Sequence, residues 1–292
     1  MNGMDYPVIV IKDTDKKYPK LLKHIHQPPG QLYCRGDISL LGTDCFAVVG
    51  TRKLTPYGKE AVQKIIPGLA RHFTIVSGMA LGVDAEAHKA ALSGRGKTIA
   101  VLGSGVDDKA LYPRENVKLA EDILKKGGLI VSEYKPGTKA RPEYFPYRNR
   151  IISGLCKGTL IVEADLKSGT LITARLTMEQ NRDLFCVPGS IFSSRTAGPH
   201  MLIQHGAKLV ASAEDILEEY DQLALPKKAR LSTANPTEAH ILDILTNNGP
   251  LSTDAIIEQT GKEVSEILAA LSMMELAGLI IQNENGTYRA NE

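Results

Sequence analysis

From Phe46 to about Val210 the chain alternates short apolar runs with longer stretches whose apolar residues recur every three or four positions. Ala47-Val48-Val49, Thr74-Ile75-Val76, Ile99-Ala100-Val101-Leu102, Leu129-Ile130-Val131, Leu160-Ile161-Val162 and Leu184-Phe185-Cys186-Val187 have the length and β-branched content of buried strands. Helical patterns over 57–71, 83–93, 114–126, 146–156, 169–182 and 199–205 separate them. This alternation predicts an α/β domain with a parallel sheet covered on both faces. Sheets of that kind bind ligands beyond the carboxyl ends of their strands.

Residues 1–45, with Tyr18-Pro19, Pro28-Pro29-Gly30 and Arg35-Gly36-Asp37, read as a short lead-in of turns with at most one helix. The α/β domain occupies 46–220, and Pro226, Lys227, Lys228, Arg230, Ser232 and Thr233 mark a linker over 221–235. Beyond it, 237–248, 252–260 and 263–277 read as three helices, and Leu279-Ile280-Ile281 and Thr287-Tyr288-Arg289 around Asn285-Gly286 as a hairpin. Three helices and a hairpin predict a small C-terminal winged-helix domain over 236–292.

Charge divides the chain in the same place. Residues 236–292 hold two basic and nine acidic side chains, a net −7, so with +2 for the whole chain the remainder carries +9. The larger part suits a polyanion and the smaller part does not. No apolar run approaches the roughly 18 residues of a membrane span, and Met1–Pro7 lacks a secretory signal pattern, so the expected location is the cytoplasm. Cys34, Cys45, Cys156 and Cys186 are scattered without a CxxC pair and read as reduced, mostly buried thiols.

Each expected strand end carries small or polar residues: Gly50-Thr51-Arg52, Ser77-Gly78-Met79-Ala80-Leu81-Gly82, Gly103-Ser104-Gly105, Ser132-Glu133-Tyr134, and Glu163-Ala164 followed by Ser168-Gly169-Thr170. One such turn is ordinary βα geometry. Several side by side form a trough in which backbone N–H groups and helix N-termini face an anion. Arg52 leaves the first strand end toward that crevice with a guanidinium suited to phosphate.

Phe145-Pro146-Tyr147-Arg148-Asn149-Arg150 adds an electrostatic anomaly, since it places two cations where a helix should begin and where anions are favoured. Helical spacing puts Arg148 on the buried side with Ile151 and Ile152, and Arg150 roughly opposite. Phe145 supplies a flat face for base stacking beside them. Lys139, Arg141, Lys157, Lys167 and Arg175 adjoin the same face. The candidate residues for binding phosphates and bases are therefore Gly50, Thr51, Arg52, Ser77, Gly78, Gly103, Arg141, Phe145, Arg148, Asn149, Arg150, Ser168, Gly169 and Thr170.

Catalytic and cofactor signatures are missing. Gly103-Ser104-Gly105 is followed by Asp108 where a dinucleotide fingerprint needs its third glycine, and no GxxxxGK[ST] occurs. The histidines show no metal spacing, and His88, near Asp84 on a helical pattern, reads as structural. Glu163 reads as a partner for backbone donors or an arginine. The expectation is a non-catalytic protein without cofactor or metal.

Taken together, the blocks resemble the DNA-processing protein A family (DprA, also called Smf). They comprise Tyr33-Cys34-Arg35-Gly36, Val49-Gly50-Thr51-Arg52, Ser77 to Asp84 with Ala87-His88, Leu102 to Asp107 with Tyr112-Pro113, and Phe145 to Leu155. They continue with Val162-Glu163-Ala164, Ser168 to Ala174, Val187-Pro188-Gly189, and Leu202 to Ala207. The resemblance covers about 18–220. It implies an extended Rossmann fold that binds single-stranded DNA, protects it from nucleases and loads a RecA-type recombinase during natural transformation, as a homodimer. On that resemblance Arg52 takes a phosphate, and Phe145, Arg148, Asn149 and Arg150 form the second nucleic-acid block. Apolar residues at Met201, Leu202, Ile203, Leu209, Val210, Ile216 and Leu217 read first as core and only weakly as a dimer face.

Two other readings compete. A phosphoribohydrolase-like enzyme also places a glycine-threonine turn at a helix start, but follows it closely with a glutamate; after Gly169-Thr170 the next acid is Glu179. An interaction hub acting through the winged helix is compatible with DNA binding, because the −7 module suits a basic protein surface better than DNA.

Overall fold

The computed structural model describes residues 6–220, 235–283 and 286–290, in two compact units, Met1–Gln222 and Leu223–Glu292. The expected linker 221–235 lies outside the described residues except for Asn235.

The first unit runs β1 (Ile9–Lys12), α1 (Lys20–Lys23), β2 (Gln31–Gly36), β3 (Cys45–Val49), α2 (Pro56–Leu69), β4 (Thr74–Ser77), α3 (Val83–Ser93), β5 (Thr98–Val101), α4 (Val117–Lys125) and β6 (Leu129–Ser132). It continues α5 (Tyr144–Gly154), β7 (Gly158–Ile161), α6 (Thr170–Glu179), β8 (Asp183–Cys186), α7 (Ala197–Gln204), β9 (Lys208–Leu209) and α8 (Glu214–Leu217). The strands form one sheet in the order β1-β2-β6-β5-β4-β3-β7-β8-β9. From β6 to β9 every pairing is parallel, as the alternation of apolar runs and helices requires. The central strands β3 to β7 are buried at every position, so both faces carry helices.

The first 45 residues are more than a lead-in. β1 and β2 pair antiparallel with each other, and β2 pairs antiparallel with β6. Leu22, Leu32 and Cys34 are fully buried in the main core. All four cysteines are free and buried, and burial pushes the thiols of Cys34, Cys45 and Cys186 up to about 12.

Sheet order fixes where a ligand can sit. From β3 the chain builds outward through β4, β5 and β6 on one side, then through β7, β8 and β9 on the other. The connections leaving β3 and β7 therefore diverge to opposite sides, opening a crevice beyond their carboxyl ends.

The second unit contains α9 (Pro236–Asn248), α10 (Thr253–Thr260), α11 (Val264–Leu276), and the antiparallel pair β10 (Ile280–Gln282) and β11 (Tyr288–Ala290). Local chemistry sets its boundaries. The Asn235 side chain accepts from the Thr237 N–H, Pro236 opens α9, Ser252 caps α10, and Gly261 ends α10 in the left-handed region. Ile241, Leu245, Ile256, Ile267, Leu271 and Met274 close a core of their own, giving a winged helix.

Candidate nucleic-acid interface

The turn after β3 is clamped from two sides. Thr51 N–H donates to the Glu163 carbonyl at 2.7 Å, and Val83 N–H donates to the Thr51 carbonyl at 3.1 Å. A Cβ on Gly50 would lie 2.5 Å from Val83 Cγ2 and 3.0 Å from the Glu163 oxygen, so only glycine fits. Glu163, 1% exposed, accepts from Thr55 Oγ1 at 2.5 Å and Thr55 N–H at 3.1 Å, tying the start of α2 to the end of β7. Arg195 adds bonds to Thr51 Oγ1 at 3.0 Å and the Lys53 carbonyl at 2.5 Å. The result is a rigid mount from which Arg52 projects into solvent.

Across the crevice stands α5. It begins at Tyr144, two residues before the proline that the sequence suggests as its start, so Arg148 and Arg150 lie in the second turn rather than at the N-terminus. The dipole conflict is correspondingly weak, and each arginine is neutralised by tertiary partners. Arg148, 3% exposed, donates to the Gly78 carbonyl at 2.6 Å and to the Val101 carbonyl, and faces the buried Asp84. Arg150 does not reach outward as helical spacing suggests. It is 6% exposed, paired with Glu133 at 2.6 Å and set 4.0 Å from the centroid of the Tyr147 ring. The physical reason is β6, whose end brings Glu133 beneath that side of the helix.

Between these walls lies a cleft of about 440 Å³, lined among others by Gly50, Arg52, Phe145, Arg148, Asn149 and Ser168-Gly169-Thr170. Eight of the fourteen candidate residues thus converge on one cavity. The Arg52 guanidinium sits 5.5 Å from the centroid of the half-buried Phe145 ring. At the opposite rim, Ser168 Oγ accepts from the Thr170 N–H at 3.2 Å and donates to Thr170 Oγ1 at 2.9 Å, forming the first turn of α6. Lys167 contributes a second exposed cation there, while Asp165 and Asp84 also line the cavity.

The other candidates are placed elsewhere. Ser77 is fully buried and donates to the Val48 carbonyl at 2.6 Å. Gly78 makes room for the Arg148 guanidinium, and Gly103 lies under the Phe145 ring. The Thr51 hydroxyl also accepts from the Lys53 N–H at 3.1 Å. Arg141 stands on a neighbouring groove, 4.0 Å from Glu143. Lys167 and Arg195 are the site residues that the sequence pattern undervalues. Lys167 sits in the loop after β7, where a positional signal exists, whereas nothing local links Arg195 to a turn more than a hundred residues earlier.

Beneath Arg148 lies a neutral histidine. Thr98 Oγ1 donates to the Ile75 carbonyl at 2.7 Å, so the 2.6 Å contact with His88 Nδ1 requires the imidazole to donate there, leaving buried Nε2 unprotonated and without a partner. Burial, then the Arg148 charge, lowers the His88 pKa from its usual value to about 3. The unfolded chain takes up a proton near pH 6.5 that the folded chain refuses, so stability present above pH 6.5 drains away as pH falls toward 3. Asp84 and Glu133, whose carboxyls burial pushes up, act in the opposite sense. The expected result is therefore a difference. His88→Asn should flatten the acid limb of an unfolding free energy against pH profile, by up to about 1.4 kcal/mol per pH unit. Superimposable limbs would contradict the buried neutral ring.

Fold and cavity define a Rossmann-like α/β protein with a cationic, aromatic-walled cleft at the switch point of its sheet, followed by a winged helix. The chain belongs to the DNA recombination-mediator protein A family, whose model matches residues 9–221, and a DprA winged helix domain matches 225–286. It is 45% identical over 207 residues to the DNA processing protein DprA of Streptococcus pneumoniae, covering 71% of this chain and 72% of that one. It is 40% identical over 281 residues to protein Smf of Escherichia coli, covering 93% and 75%. Among solved structures, Streptococcus pneumoniae DprA superposes with a TM-score of 0.69 at 44% identity, over 74% of this chain and 75% of that one. Helicobacter pylori DNA processing protein A, solved to describe its single-stranded DNA binding mode, gives 0.66 at 32% identity, over 75% and 97%.

Proposed function

We propose that this chain binds single-stranded DNA non-catalytically in the switch-point cleft, shielding the strand and promoting the loading of a RecA-type recombinase onto it in natural transformation. The observation that carries this reading is the pairing of an exposed, rigidly mounted Arg52 with the Phe145 face 5.5 Å away. A fixed cation takes a phosphate and the adjacent ring stacks a base, a combination that tolerates any sequence. Gly50, Asn149, Ser168, Gly169 and Thr170 then line the strand's path, while Ser77, Gly78, Gly103, Thr51, Arg148 and Arg150 hold the walls. The single-stranded DNA binding mode described for the Helicobacter pylori relative and the recombination-mediator family support the same direction.

A binding rather than catalytic role agrees with how Glu163, Asp84 and Glu179 are used. Glu163 is engaged by Thr55, Asp84 lies against Arg148, and Glu179, the first acid along α6, pairs with Arg175 at 3.3 Å. A cytoplasmic location and a homodimeric state complete the proposal. Among the described residues no helix is long and apolar enough to cross a membrane. Of the apolar residues considered for a dimer face, Leu202, Val210, Ile216 and Leu217 are core, while Leu209 is exposed. The winged helix reads as a protein-facing module, because α11 carries no basic residue and exposes Val264, Leu268, Met273 and Leu276.

Competition between single- and double-stranded DNA at moderate salt tests the reading. Single strands should win, with log affinity falling against log salt at about 0.7 per phosphate neutralised. Duplex binding of equal or greater strength would overturn it.

A further inference from the structure

A second groove, of about 370 Å³, opens beside the switch-point cleft, and Pro142 and Phe145 line both. Its floor is the segment after β5. Arg114 fixes that segment by donating to the Asp108 carbonyl at 2.8 Å and the Lys109 carbonyl at 2.6 Å, and Ala110 and Leu111 anchor it in the core. Nearby acids are engaged internally. Asp107 accepts from the Ala110 N–H at 3.1 Å and the Gly137 N–H at 2.5 Å, and Asp108 pairs with Arg35 at 2.7 Å. The groove lining that faces outward is cationic and aromatic: Lys109, Lys139 and Arg141 are exposed and Tyr112 is 50% exposed, while the exposed carboxylates beside it, Asp108 and Glu143, lie against Arg35 and, at 4.0 Å, Arg141.

The Tyr112 ring lies 5.7 Å from that of Phe145 and is inclined to it by 40°. A large half-exposed aromatic, held beside a stacking face and ringed by cations, is the makeup of a second base platform. Its separation from Phe145 exceeds the roughly 3.4 Å rise per nucleotide of a stacked strand, so neighbouring bases resting on the two rings are parted from each other.

We propose that the bound strand leaves the switch-point cleft across Phe145 and lays a further base on Tyr112, with Lys109, Lys139 and Arg141 holding the flanking phosphates. This rests on the single-strand reading of the cleft and extends it to a specified exit path. A short oligonucleotide fills the cleft alone, and a longer one occupies cleft and groove.

The chain contains no tryptophan, so Tyr112→Trp introduces a single reporter at the groove. With oligothymidylates of about 4 and about 12 nucleotides, the longer should quench that emission and the shorter should not. Tyr112→Ala should weaken the longer oligomer about 10-fold, leave the shorter within about 2-fold, and match the unsubstituted protein on an abasic strand. The double substitution Lys109→Glu with Lys139→Glu should lower the salt slope for the longer oligomer alone, by about 0.7 for each phosphate no longer neutralised. Thermal melts confirm that the variants are folded. Unchanged affinity for both lengths without quenching overturns the path. Equal weakening of both lengths assigns Tyr112 to bracing Phe145 and also overturns it. Failure of the unsubstituted protein to bind either oligomer overturns the cleft reading itself, and this one with it.

Discussion

Arg52→Glu should reduce single-strand affinity at least about 100-fold at moderate salt, a loss on the order of 3 kcal/mol or more. A charge-assisted hydrogen bond contributes about 1.5–3 kcal/mol, and reversal replaces attraction by repulsion at a site with cations on both rims. The backbone on either side of Arg52 is fixed by Glu163, Val83 and Arg195, so the side chain leaves from a set point and its loss cannot be compensated by a drifting loop. Exposure of the side chain means stability should hardly move. Phe145→Ala makes the internal comparison. Losing one stacked base should weaken binding by about 1–3 kcal/mol and leave the salt slope intact, whereas Arg52→Glu should lower the slope by at least about 0.7. Equilibrium titration of both variants at several salt concentrations separates the contributions. Affinity of Arg52→Glu within twofold of the unsubstituted protein would remove the phosphate role.

Much of this arrangement is readable from the chain because parallel strands buried on both faces leave short apolar runs, and the turns that follow them are where small residues gather. Val49-Gly50-Thr51-Arg52 shows this, since strand end, tight turn and cation are consecutive. β1 and β2 are different. Ile9–Lys12 is an edge strand with three of four residues exposed, so it has neither alternation nor a buried run, and β2 carries a buried Arg35 whose partners lie beyond residue 100. Side-chain destinations are equally hidden where the partner comes from another element. Helical spacing correctly sends Arg148 and Arg150 to different sides of α5, but it cannot reveal that both sides are covered, one by the ends of β4 and β5 and the other by Glu133. Tyr112 shows the same limit, because its relation to Phe145 exists only once the two segments are folded together.

Arg148→Met should destabilise the protein by about 3–5 kcal/mol, the usual consequence of removing one partner from a buried charged network. The carbonyls of Gly78 and Val101 lose their shared donor, and Asp84 is left buried without its cation. Burial already holds the Asp84 carboxyl above its ordinary range, with Arg148 the leading opposing influence; without Arg148 it rises further. The folded variant then binds a proton that the unfolded chain releases, so its stability should fall as pH rises through the interval between the two titrations. The stability gap between variant and unsubstituted protein should therefore be smaller at about pH 5 than at about pH 8. Asp84→Asn in the Arg148→Met background should remove the Asp84 part of that pH dependence and restore part of the loss. Chemical denaturation at the two pH values measures both effects. DNA titration of the folded variant at low temperature gives the complementary readout, with the salt slope expected to stay unchanged because this guanidinium is already bonded to protein. Wild-type stability together with a lowered salt slope would instead mean that Arg148 meets the strand directly. The anion would then sit deeper in the crevice, between the ends of β4 and β5.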